Sequence, residues 1–70
     1  MNLELYKQFM HLGMLCAAHH CNKNEDGVDV TNMKYHAAFD AIHAINQDVA
    51  LECHEVYCDI YRECIRLFGE

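Results

Sequence analysis

The chain has no proline, no tryptophan and only three glycines, Gly13, Gly27 and Gly69, in 70 residues. From Thr31 to Phe68 there is neither proline nor glycine, so that stretch carries none of the usual signals of a helix break. Cations are also scarce. Five Lys and Arg stand against eleven carboxylates, for a formal charge of −6, and such a surface repels phosphates unless its few cations cluster. The longest apolar-rich run, Phe9 to Ala18, is far shorter than the ~20 residues a membrane span needs. Met1-Asn2-Leu3-Glu4 lacks the basic and apolar regions of a secretory signal. The five cysteines are an odd count that cannot pair fully within one chain. Together these absences predict a cytoplasmic protein with free thiols, no membrane partner and no nucleic-acid partner.

What is present is helical periodicity. Leu5, Phe9, Leu12, Cys16 and His19 recur at alternating steps of four and three, predicting a first helix over about 3–22. Its second half, Leu12 to Ala18, is apolar on every side, the pattern of a helix buried all round. Gly13 and Ala17, four apart, would let another backbone approach closely. A polar loop is expected over 22–30, Asn22 to Val30, with Thr31 as N-cap of the next helix. That helix is predicted over about 31–68. It carries two apolar registers, Tyr35-Phe39-Ile42-Asn46 and Asn46-Ala50-Cys53-Tyr57-Ile60-Cys64-Leu67, joined by an extra step of four, as in a coiled-coil stutter. Asn46 is either a buried polar residue that sets register or the cap of a third helix starting near Asp48.

The expected fold is therefore all-α: one domain, 1–70, a helical hairpin with a short first helix and a long second helix, possibly broken near Asn46. A helix of 38 residues would reach about 57 Å, and the first only about half as far. The uncovered half needs a second chain, so the hairpin is expected to assemble as a homodimeric helical bundle. Its core or dimer positions would be Leu5, Phe9, Leu12, Cys16, Phe39, Ile42, Cys53, Tyr57, Ile60, Cys64 and Leu67.

The last third has a family resemblance. Ile60-Tyr61-Arg62-Glu63-Cys64-Ile65-Arg66-Leu67-Phe68-Gly69-Glu70, with Asp48 and His54 further back, resembles the end of the second helix in Rop, the plasmid copy-number regulator family. Tyr61, Arg62, Cys64, Phe68 and Gly69 carry the pattern. The resemblance implies a dimeric four-helix bundle with Cys53, Ile60 and Cys64 in its core. Rop-type RNA binding uses a polar, partly basic face of the first helix. Here that helix carries only Lys7, so the RNA-binding role transfers to no residue.

Eleven residues are Cys or His. Cys16 with His19 or His20, and His54 with Cys58, are helical pairs at ligand spacing. His36, Asp40 and His43 line another face. Two such pairs from packed helices would make a tetrahedral zinc site, the alternative function. There is no Cys-x-x-Cys pair, and Cys53 and Cys64 lie on the seam as small apolar residues, so no metal and no cofactor is expected. His19, His20 and Cys21 crowd the C-terminal end of a helix, which disfavours a thiolate, so no catalytic residue is expected. Asp48, Glu52, Glu55 and Asp59 form an acidic ridge, a solvated face or a surface for a basic protein partner. Arg62 and Arg66 suit the helix C-terminus. The expected function is a small non-enzymatic homodimer that regulates or inhibits a macromolecule, most simply another protein, as plasmid and phage regulators do. A Rop-like RNA adaptor is the second alternative.

Overall fold

The computed structural model describes residues 3–69. Met1, Asn2 and Glu70, which enter the reading of the N-terminus and the last position of the Rop-like stretch, lie outside the described residues. All regular structure among the described residues is helical: α1 (Leu3–Cys21), α2 (Glu25–Ile45) and α3 (Gln47–Phe68). No helix among them is long and apolar enough to cross a membrane.

Three helices replace the expected two, and both connections are tighter than expected. The expected loop over 22–30 shrinks to three residues. At the end of α1, Asn24 N–H donates to His19 O (2.8 Å) and Lys23 N–H to His20 O (3.1 Å). Lys23 has φ 56°, so this is a Schellman stop with lysine in the left-handed position that glycine usually takes. Asn24 then caps α2, its side chain accepting from Gly27 N–H (3.1 Å). Glu25 and Asp26 fill the first turn, where the helix dipole favours carboxylates. Thr31 is consequently not an N-cap. It is buried inside α2, and its hydroxyl donates to Gly27 O one turn back (2.8 Å).

The long second helix breaks at Asn46, and the two apolar registers belong to two helices. Asn46 is extended (φ −154°, ψ 106°). Its N–H donates to Ile42 O at 2.8 Å, and its side chain accepts from Val49 N–H at 3.2 Å. One residue thus closes α2 and opens α3. The longest dimension of the molecule is 37 Å, too short for a straight helix over 31–68 at about 1.5 Å per residue. The reversal is visible in side-chain pairing. Tyr35 and Tyr57, each eleven residues from Asn46 (46 − 35 and 57 − 46), have ring centroids 4.3 Å apart. A partly buried polar pair supports the same register, with Tyr57 Oη donating to Asn32 Oδ1 at 3.3 Å.

The core gathers on Phe9, Tyr35 and Cys53, with Leu5, Leu12, Phe39, Ile42, Val49 and Tyr57 packed around it. Of the expected core positions, Phe9, Cys16, Cys53 and Cys64 are buried, and Leu5, Leu12, Phe39, Ile42, Tyr57 and Ile60 are half-buried. Leu67 is the exception at 59% exposed. Ile60 lies over Gly13, so Leu67, seven residues on in a parallel helix, comes level with the end of α1 and runs out of cover.

α1 and α3 run parallel and pack most extensively, through small residues. Gly13 and Ala17 are both buried. A Cβ on Gly13 would stand 2.9 Å from the Tyr57 carbonyl oxygen. The close approach expected at these residues is thus made within the chain. The apolar segment 12–18 is not covered on every side, because Met14 remains 47% exposed.

Candidate functional site

The Cys and His residues separate into groups that do not converge. Cys16 is buried, its thiol directed at Asn32 Oδ1 (4.0 Å). His19 Nδ1 accepts from the Asn24 side-chain amide at 3.2 Å, and the His20 ring meets Tyr61 edge-on. On the neighbouring helix, His36 lies against Tyr35 and His43 stacks on Phe39. His54 and Cys58 stand apart from Cys16, His19 and His20. Among the described residues, no three His, Cys, Asp or Glu side chains gather as a metal-holding group.

The His54–Cys58 pair has the most developed surroundings. The residues are one turn apart on α3, with Cys58 Sγ 3.5 Å from His54 Nε2. The other ring nitrogen, Nδ1, is hydrogen-bonded to the Tyr35 hydroxyl. Tyr35 is only 7% exposed, so a core residue of α2 orients an exposed histidine of α3. The His54 ring also meets Phe39 edge-on, with centroids 6.2 Å apart. Burial pushes the Tyr35 hydroxyl above the ordinary tyrosine range, and the Cys58 and Cys53 thiols add to the shift. The phenol therefore stays protonated at neutral pH, and its oxygen keeps lone pairs that can accept from an imidazole N–H. Sequence periodicity places Tyr35 at the head of the Tyr35-Phe39-Ile42 stripe, but its pairing with His54 depends on the turn at Asn46.

Beside this pair runs a shallow cleft of about 380 Å³ lined by His54, Glu55, Cys58, Asp59 and Arg62. A larger cleft of about 540 Å³, lined by His20, Lys23, Asn24, Glu25, Val28 and Asp29, lies at the α1–α2 turn and contains no thiol. Elsewhere burial dominates the titration of the core. It pushes the Tyr57 hydroxyl up strongly, with hydrogen bonding to Cys16 contributing, and raises the Cys53 thiol, aided by the Glu52 carboxylate.

The acidic ridge is a real line of side chains. Asp48, Glu52, Glu55 and Asp59 step by four, three and four along α3, and all are exposed. Glu52 accepts a hydrogen bond from the Tyr6 hydroxyl. Asp59 pairs with Arg62 at 2.6 Å, and Glu63 pairs with Arg66. The guanidinium holds the Glu63 carboxyl below its usual range. Both arginines are thus engaged by carboxylates one turn before them.

Fold and surface together define a small acidic three-helix protein with free thiols and an acidic outer ridge. Neither family models, curated proteins nor solved structures yield a match to this chain.

Proposed function

We propose that this protein works by binding: a non-enzymatic homodimer that regulates or inhibits a protein partner. The length mismatch expected between the helices does not support the dimer, because α1, α2 and α3 have 19, 21 and 22 residues. The observation that carries the reading is apolar exposure on α1. Leu3, Met10 and Met14, at 55%, 38% and 47% exposure, follow one another by seven and four residues and so form one stripe. A second copy set against that stripe buries methionines, which adapt to an irregular surface. The acidic ridge Asp48, Glu52, Glu55 and Asp59 suits a partner with a basic surface, and Glu52, bonded to Tyr6 of α1, is where it borders the dimer stripe.

Sedimentation at micromolar concentration tests the assembly. The expected species is about twice the 8.1 kDa chain mass, and a double substitution, Met10→Glu with Met14→Glu, returns it to the monomer while preserving helicity. A wild-type monomer across that range removes the homodimer from the reading. The partner face is tested separately. Glu55→Lys with Asp59→Lys abolishes capture of the partner from host extract and leaves the dimer intact.

A further inference from the structure

Three of the five thiols, Cys16, Cys53 and Cys64, are buried, whereas Cys21 and Cys58 are partly accessible. The two accessible thiols differ in what stands beside them. Cys21 closes α1, where the partial negative charge of the helix end works against a thiolate. Cys58 lies in the body of α3 with His54 Nε2 at 3.5 Å from its sulfur. His54 is in turn oriented through Nδ1 by Tyr35. This is the arrangement of an activated thiol: nucleophile, base, and a third group that holds the base. The open cleft at the pair admits a small molecule to the sulfur.

We propose that Cys58, activated by His54, is a reactive thiol that forms mixed disulfides with small uncharged or cationic disulfides. With Nδ1–H donating to the Tyr35 oxygen, the Nε2 lone pair faces the Cys58 thiol and takes its proton. The thiolate attacks one sulfur of the incoming disulfide. A bond forms between Cys58 and that sulfur, and the original sulfur–sulfur bond breaks. The departing half leaves with the electron pair and takes the proton back from the imidazolium. Cys58 is oxidised and the departing sulfur is reduced, so the exchange needs no other oxidant. Of the charges lining the cleft, Asp59 is paired with Arg62, which leaves Glu55 as the carboxylate that disfavours anionic reagents. The chemistry does not depend on the homodimer, because every group it uses comes from one chain.

An ordinary cysteine is only a few per cent thiolate at neutral pH. A base held at the sulfur therefore raises the exchange rate by at most about thirtyfold. The net advantage of Cys58 over Cys21 is about three- to tenfold.

The test is timed labelling of the reduced full-length chain at neutral pH with 4,4′-dithiodipyridine, an uncharged disulfide, followed by acid quenching and peptide mass mapping. Cys58 is labelled first, ahead of Cys21 by the stated factor. His54→Gln slows Cys58 to the Cys21 rate or below and leaves Cys21 unchanged. Equal or faster labelling of Cys21 in the wild type overturns the proposal, as does an unchanged Cys58 rate in folded His54→Gln protein. Should His54→Gln unfold, the wild type decides in strong denaturant. There the Cys58 advantage disappears if the folded triad causes it, and its persistence refutes the proposal.

Discussion

Gly13 shows how one residue sets a helix–helix distance. Alanine would improve helix propensity there by about 1 kcal/mol. Against that gain, the added Cβ would stand 2.9 Å from the Tyr57 carbonyl oxygen and 3.4 Å from Ile60 Cβ. A backbone oxygen cannot rotate away as a side-chain tip can, so α1 and α3 must separate, and overpacking of this kind costs about 1–3 kcal/mol. Gly13→Ala is therefore expected to lower the urea midpoint despite its better propensity. An unchanged or raised midpoint would mean that the two helices slide apart freely. Phe9, fully buried beside Tyr35, marks the upper end of single-residue effects, about 3–5 kcal/mol on truncation to alanine. Asp59→Ala removes an exposed pair with Arg62 and should change stability by only a few tenths of a kcal/mol, as exposed ion pairs do. Chemical denaturation of the two variants side by side checks the contrast.

The elements are set by their ends. Lys23 occupies a left-handed conformation, φ 56°, which costs a non-glycine residue about 1 kcal/mol. Lys23→Gly should therefore stabilise the protein by about 0.5–1 kcal/mol, read as a higher thermal midpoint. A lower midpoint would show that the lysine side chain contributes more than its backbone strain removes. Asn46 has the opposite character, since its side chain satisfies Val49 N–H and its backbone closes the preceding helix. Asn46→Ala should cost about 1 kcal/mol, and Asn46→Asp, which keeps the accepting oxygen, should cost much less. Equal losses in the two variants would mean that the cap bond contributes nothing to the turn.

Across the whole molecule, the aromatic core ties stability to alkaline pH. Burial raises Tyr35 and Tyr57 above their ordinary value of 10.0, and Tyr61 moves the same way. Cys53 rises above 9.0 for the same cause. A group whose folded value is raised keeps its proton longer in the folded chain than in the unfolded one. Its contribution is complete below the unfolded value and is lost as pH rises past it. The urea midpoint of reduced protein should accordingly hold steady from neutral pH to about pH 9 and fall above it. Tyr57→Phe should flatten part of that fall. A midpoint unchanged well above pH 10 would contradict the burial of these hydroxyls.

Much of this molecule is local and was legible in one dimension. Apolar residues at steps of three and four require helices, and the missing prolines and glycines keep them long. Asp48, Glu52, Glu55 and Asp59 fall on one face by spacing alone, and Gly13 with Ala17 marks a place for close approach. The cap at Asn24 was legible too, by the same rules that favour Thr31. The α2 start was misplaced because Gly27 reads as a loop residue. In the fold a Cβ at Gly27 would lie 2.5 Å from the His19 ring, so the position belongs to a helix and requires a small residue. Whether Asn46 continues a helix or reverses the chain is not a local property. A continuous helix keeps the backbone hydrogen bonds at Asn46. A break gives some of them up but lets α3 fold back on α1 and α2 and bury Ala50, Cys53 and Cys64. Only the sum of those contacts decides, and it favours the break. That decision sets Tyr35 against Tyr57, brings Tyr35 to His54, and leaves Leu67 without the cover its periodicity calls for.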